Sequence, residues 1–323
     1  MSGPRAAGKL QQINPDSIQR NPENPRVIFR EEEMDALLSS IESIGIQVPL
    51  TVYRDRDRFF LIDGERRWRC AKKLNLQKVP CLVQEKPSPL ENLLLMYNIH
   101  ALREQWDYFT IASKLQKVEE LMAAEAGSRP TEADLSAATG LTRGQIRRCR
   151  LLIDLPDDFK VELLEELHKP KIHQRLSEDF FIEMERSLKS VIRRFPEYDR
   201  KIDSIRRALI SKYRSGSIRA VTDFRMLAKI ATGVDNLDLK KDAARKSLDK
   251  LFFDNEDYNI SDAYGDTVAF LYDEKQVLRN INNVNEFVQL ILEEEYFEEL
   301  EEEFYVSVEA LIQNLQRVIR KRV

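Results

Sequence analysis

The sequence predicts an α+β N-terminal domain followed by a mostly α-helical region with a helix-turn-helix. Three observations lead there. Between residues 31 and 83, helical and strand periodicities alternate in the order helix, strand, strand, helix, strand. After Pro87-Ser88-Pro89 the strand patterns stop and helical ones take over. Within that later part, residues 131–152 hold two short helical patterns parted by a tight, glycine-containing turn. With 323 residues, the chain can form two or three domains, each with its own core.

Charged residues make up 33% of the chain, yet the net charge is only −4. Residues 1–150 hold 23 Lys+Arg against 20 Asp+Glu, a net of +3, which leaves a net of −7 for the rest. The chain is therefore mildly basic in front and acidic behind. Its three cysteines, Cys70, Cys81 and Cys149, have no paired or metal-type spacing, which suits a reducing cytoplasm. No apolar run approaches the roughly 18 residues of a membrane span, and no signal-peptide core is present. A cytoplasmic protein without a membrane partner is expected.

Residues 1–12 are small and polar and are expected to be disordered. The prolines and asparagines from Asn14 to Pro25 exclude a helix and force a turn-rich path that presents Arg26. From Glu31 to Ile44 a helix is predicted. Met34, Leu37, Leu38, Ile41 and Ile44 make its stripe, and Gly45 ends it. The segment from Gly45 through Gln47 and Pro49 leads into a strand. Asp55-Arg56-Asp57 then turns the chain back into a Phe59–Ile62 strand, which makes a hairpin.

Asp63-Gly64 breaks that strand and a helix begins near Glu65, with Trp68, Ala71 and Leu74 on one face. Arg66, Arg67 and Arg69 crowd its first turn, the end where the helix macrodipole favours anions. A preceding glycine, free backbone N–H groups and three guanidinium groups suit a phosphate; a solvated basic turn is the plain alternative. Val79–Val83 supplies a last short strand, so the α+β domain covers residues 13–86.

Leu90–Leu102 is a leucine-rich helix carrying Asn98 and His100, with Arg103 just beyond. His100 reads either as a functional group or as a local hydrogen-bonding residue. Another helix starts at Trp106-Asp107, with Ile111, Leu115, Val118 and Met122 on one face, and closes at Gly127. In the helix-turn-helix, Leu135 faces the core, Gly140 makes the turn, Thr142 caps the second helix and Ile146 anchors it. That helix offers Arg143, Gln145, Arg147 and Arg148, with no acid between Arg143 and Arg150. Arginine and glutamine read base edges and reach phosphates. An ordinary αα-hairpin with a basic face is the alternative. Residues 87–156 form this helical region, residues 157–234 a locally basic helical one, and residues 235–323 an acidic C-terminal one. The dense acidic run Glu293–Glu303 repels DNA. The Phe304–Val318 helix suits dimerisation or folds back on its own domain.

Several of these stretches resemble the ParB family of partition proteins. Asn21-Pro22-Glu23-Asn24-Pro25-Arg26 is similar to its first box, the Gly45–Leu50 segment to its Gly-x-x-x-Pro strand, and Gly64-Glu65-Arg66-Arg67-Trp68-Arg69 to its arginine box. A helix-turn-helix directly after the nucleotide domain fits as well. The resemblance covers residues 13–156. It implies that Arg26, Gln47, Pro49, Gly64, Glu65, Arg66, Arg67, Arg69, Asn98 and Arg103 hold a nucleoside triphosphate, usually CTP, with Asn98 helping to hold Mg²⁺. It also implies that Thr142, Arg143, Gln145, Arg147 and Arg148 face double-stranded DNA. One departure stands out: Tyr97 occupies the place of the family's acid, and Arg103 falls two residues late. That puts hydrolysis in doubt more than binding, and a slow CTPase or NTPase activity stays open.

The expected function is thus a nucleotide-regulated DNA-binding protein of DNA partition or of plasmid or phage maintenance, associated with the nucleoid. A homodimer would read an inverted repeat, and the acidic half would meet a partner ATPase or another protein. The alternatives are an enzyme on the same fold (an NTPase, kinase or nuclease) and a transcriptional regulator without nucleotide turnover. Sulfiredoxins share the fold, but their catalytic cysteine has Glu65-Arg66 in its place here, with Cys70 deeper in the helix.

Overall fold

The computed structural model describes residues 8–21, 31–100, 107–254, 256–294 and 300–321. The N-terminal part is built on a five-stranded mixed sheet of order β1-β5-β3-β4-β2. Its strands are β1 (Lys9–Ile13), β2 (Ile18–Gln19), β3 (Leu50–Asp55), β4 (Arg58–Asp63) and β5 (Val79–Gln84). The β3–β4 hairpin is antiparallel and turns at Arg56, whose φ of 55° lies in the left-handed region. β5 runs parallel to β3 and antiparallel to β1. Alternation along the strands sends Leu50, Val52, Leu61, Val79 and Cys81 into one core with Ile13, Ile18 and Ala71, and Trp68 packs against it.

β1 corrects the expectation of disorder for residues 9–12; residues 1–7, which it also covered, lie outside the described residues. Lys9–Ile13 pairs residue by residue with Val79–Val83. Only Ile13 of that strand is buried, so backbone pairing to β5 rather than an apolar pattern places it on the sheet edge.

Helix α1 (Glu31–Ile44) packs against α2 (Glu65–Lys73). Ile41 is the buried part of its stripe, whereas Ile44 at its end is exposed. α3 (Pro89–His100) lies against β4 and α4 (Tyr108–Ala126). The buried Tyr97 donates its hydroxyl to the Ile111 carbonyl at 2.6 Å and so ties α3 to α4. α5 (Glu132–Thr139) and α6 (Arg143–Ile153) are two short helices parted by the left-handed turn at Gly140, with Leu135, Leu141 and Ile146 buried. Both helices carry a complete capping box, Thr131 with Asp134 and Thr142 with Gln145. α7 (Asp157–His168), α8 (Glu178–Arg194) and α9 (Ile202–Ser215) follow, gathered around Phe159, Leu163, Phe180, Phe181 and Leu209. The buried Glu185–Arg206 pair is bidentate, at 2.7 and 2.8 Å.

The chain divides into two compact units, Met1–Ala228 and Lys229–Val323, within α10 (Phe224–Asn236). In the second unit, α11 (Lys241–Asp249), a π-helical turn (Lys250–Asp254) and α12 (Ile260–Gly265) bury Ala244, Leu248, Leu251, Ile260 and Ala263. α13 (Ala269–Glu294) and α14 (Glu302–Arg320) follow and leave large apolar side chains exposed, among them Leu278, Phe287 and Leu290 on α13 and Ile312, Leu315 and Ile319 on α14. Among the described residues no helix is long and apolar enough to cross a membrane.

Candidate nucleotide and nucleic-acid sites

The arginine-rich helix is positioned by its first residue. Gly64 caps α2 with φ 100°, a left-handed conformation, and supplies no side-chain acceptor to the helix N–H groups. A Cβ there would sit 3.1 Å from Leu50 Cγ and 3.3 Å from Arg67 Nη2. The N-terminus of α2 therefore meets β3 closely, and this is the end of the helix where an anion is favoured.

The structure separates the arginines that the sequence groups together. Arg67 bends back to the Asp63 carboxylate at 2.7 Å and to the carbonyls of Val48 at 2.5 Å and Pro49 at 2.8 Å. It thereby fastens the start of α2 to the segment entering β3. Arg69 donates twice to Glu65, at 2.6 and 3.0 Å. The Glu65 carboxylate is nearly buried and also takes Arg20 at 3.1 Å. Arg66 is half-buried on the same turn. Arg20 is a cation of this site that sequence reasoning missed; its position beside β2, which runs parallel to β4, was the only signal. Gln47 is exposed and its amide donates to the Ile44 carbonyl. Trp68 Nε1 donates to the Pro15 carbonyl at 2.9 Å, and Asn21, buried, donates to Asn92 Oδ1 at 3.2 Å. These two bonds hold the entry to the Asn-Pro loop against α2 and α3.

Arg26, Arg103 and the side chains of Asn98 and His100 lie outside the described residues. The structure thus brings Pro49, Gly64, Glu65, Arg66, Arg67 and Arg69 together around one helix start, whereas the Gln47 side chain turns back to the end of α1. The donor set fits an oxyanion. It does not amount to a metal cage, because Asp63 and Glu65 are both engaged by arginines and no cluster of three His, Cys, Asp or Glu side chains suited to a metal occurs among the described residues.

On α6 the same sorting occurs. Thr142 Oγ1 caps the helix, and the Gln145 side chain returns the bond to the Thr142 amide at 2.8 Å. Arg147 pairs with Glu132 at 3.0 Å. Arg148 pairs with Asp179 and lies 4.9 Å over the Tyr108 ring, while Arg150 bridges Glu119 and Glu132. Although the sequence shows no acid along this helix, the fold brings acids to it from α4, α5 and α8. Arg143 is exposed and has no acidic partner among the described residues. Cys149 lies beneath this face, and burial pushes its thiol up to about 12.

A left-handed glycine thus opens an arginine-rich helix on a mixed sheet, in an α+β domain followed by a helical region. Residues 2–99 match the ParB N-terminal domain family. Curated relatives include the chromosome-partitioning protein ParB of Caulobacter vibrioides, 27% identical over 160 residues, which cover 46% of this chain and 47% of that protein. Another is the nucleoid occlusion protein of Bacillus cereus, 30% identical over 161 residues, covering 49% and 52%. The chain spans about half the length of the curated relatives it matches. Among solved structures it is similar to the C-terminally truncated chromosome-partitioning protein ParB from Caulobacter crescentus. The form complexed with CTP-gamma-S is 25% identical, covering 49% of this chain and 86% of that one, with a TM-score of 0.29. The form complexed to the centromeric parS site is 20% identical, covering 68% and 98%, with a TM-score of 0.42.

Proposed function

We propose that this chain is a ParB-like DNA-binding protein of DNA partition or a related maintenance role, regulated by a nucleoside triphosphate held at the start of α2. The observation that carries the reading is the Gly64 helix start, with Arg66 and Arg69 on its first turns, inside the stretch that matches the ParB N-terminal domain family. The α2 amides donate to phosphate oxygens, and Arg66, Arg69 and Arg20 supply the positive charge. Arg67 is a positioning residue: it holds the Val48-Pro49 segment at a fixed distance from the helix start. Resemblance alone favours CTP over other nucleotides, and Mg²⁺ enters with the triphosphate.

Binding rather than fast turnover is the expected mode. Tyr97, at the place of the family's acid, is buried and spends its hydroxyl on the Ile111 carbonyl. The α6 face, with Arg143 and Arg147 outermost, supplies the duplex contacts. A homodimer through the exposed apolar residues of α13 and α14 would present two such faces to an inverted repeat. The acidic C-terminal half suits a protein partner such as a partner ATPase rather than DNA. Nucleoid association follows from this reading.

The test is a titration with each NTP, with and without Mg²⁺ and duplex DNA, reading binding and phosphate release. Arg66→Ala should weaken nucleotide binding roughly tenfold, the effect of one lost charge-assisted hydrogen bond. Unchanged affinity in Arg66→Ala and Arg69→Ala would remove the cradle. Rapid steady-state turnover would favour the enzyme reading instead.

A further inference from the structure

A second basic site lies in the helical part of the first unit. An open cavity of about 380 Å³ is lined by Arg175, Tyr213, Arg214, Gly216, Ile218 and Arg219. Its walls are held at the backbone. The Arg175 amide donates to Glu166 at 2.9 Å, the Ile218 amide to the Lys212 carbonyl at 3.0 Å, and the Arg219 amide to Asp223 at 3.2 Å. The Tyr213 ring packs 4.6 Å from that of Phe180. Arg214 is neutralised by Glu162 at 2.9 Å and Glu166 at 3.4 Å. The side chains of Arg175 and Arg219 are exposed and have no acidic partner among the described residues. This contrasts with α6, where Arg147, Arg148 and Arg150 are all paired.

From this arrangement we infer that Arg175 and Arg219 form a phosphate site, and that it takes a backbone phosphodiester of the duplex engaged by α6. Guanidinium groups on a fixed backbone match phosphate oxygens in geometry as well as charge. An open cavity suits one phosphate of a long polymer better than an enclosed small molecule. Placement supports the same source. Arg175 stands four residues before Asp179, the partner of Arg148 on α6, so the intervening chain spans at most roughly 14 Å. One turn of duplex DNA is about 34 Å, so a single duplex can meet both places. The site adds affinity without reading sequence.

The assignment to DNA rests on the reading of α6, and the experiment separates the two. Duplex binding is measured against salt for the full chain, for Arg175→Ala/Arg219→Ala, for Arg175→Lys/Arg219→Lys and for Arg143→Ala. Inorganic phosphate and tripolyphosphate are titrated in parallel. The double alanine variant should weaken all duplexes alike and lower the salt slope by about one to two, at roughly 0.9 per phosphate contact. The double lysine variant should restore most of that slope. Wild-type slope and affinity in the double alanine variant would overturn the DNA assignment. If the wild type binds no duplex, the α6 reading fails by itself. The pocket is then decided by tripolyphosphate titrated into a chain carrying Arg66→Ala/Arg69→Ala, which removes the contribution of the α2 start; the binding that persists there must be lost when Arg175→Ala/Arg219→Ala is added. Indifference of that variant to both probes overturns the site.

Discussion

Arg67 and Asp63 face each other across the start of α2 at 2.7 Å, and the guanidinium that makes this pair also donates to the Val48 and Pro49 carbonyls. One side chain thus joins the end of β4, the first turn of α2 and the segment entering β3. A residue type that the sequence offers as a phosphate ligand is used to build the site.

Arg67→Ala should therefore lower the stability of the N-terminal domain as well as nucleotide affinity. Losing a charged hydrogen-bond donor with the part-buried Pro49 carbonyl and Asp63 carboxylate left behind costs on the order of 1.5–3 kcal/mol. Arg67→Lys should recover little of this, because one ammonium cannot span a carboxylate and two carbonyls in a fixed fork. Urea unfolding of the three proteins checks it, and an unchanged midpoint in Arg67→Ala would refute the bracing role.

Gly64→Ala tests the helix start. A φ of 100° is strained for any residue with a Cβ, and that Cβ would press on Leu50 at 3.1 Å. A cost of about 1–3 kcal/mol is expected, accompanied by weaker nucleotide binding as α2 shifts. Unchanged stability and binding would show that the glycine conformation is dispensable.

On α6, Gln145→Ala should cost about 1 kcal/mol of stability, because its side chain completes the capping box with Thr142. Thr142→Ala should cost a similar amount, and the double variant less than their sum, since both share the same bonds. Arg143→Ala should leave unfolding unchanged and weaken duplex binding. Thermal melts beside duplex titrations separate the cap from the contact. Loss of sequence preference in Gln145→Ala without loss of stability would restore a base-reading role.

The buried thiols give the protein a decline at alkaline pH. Burial pushes Cys81 up from 9.0 to about 11 and Cys149 from 9.0 to about 12. Above pH 9 the unfolded chain releases these protons while the folded chain keeps them, so stability falls with rising pH. Their contribution is complete below pH 9 and is lost as pH passes from 9 towards 11 and 12. Unfolding midpoints between pH 8 and 10 should drop, and less steeply in Cys149→Ala. Both thiols should also resist alkylation until the chain unfolds. Rapid labelling of the native protein would contradict their burial.

The features that local chemistry governs were legible in the sequence. A helix from Glu31 to Ile44, the β3–β4 hairpin, the break at Gly64 and the Thr142 cap each depend on residues within a few positions, and the structure has each of them. Tertiary structure decided what those residues touch. β1 exists because Val79–Val83 offers a free edge some 70 residues away, and its own side chains carry almost no apolar signal. Glu65 meets Arg20 because β2 lies alongside β4. The basic face of α6 is trimmed by Glu119, Glu132 and Asp179, each at least 15 residues from the arginine it pairs with. Charge and capping preferences act over one helical turn and can be read along the chain. Which charges neutralise one another depends on distances of about 3 Å that arise only once separate elements have packed.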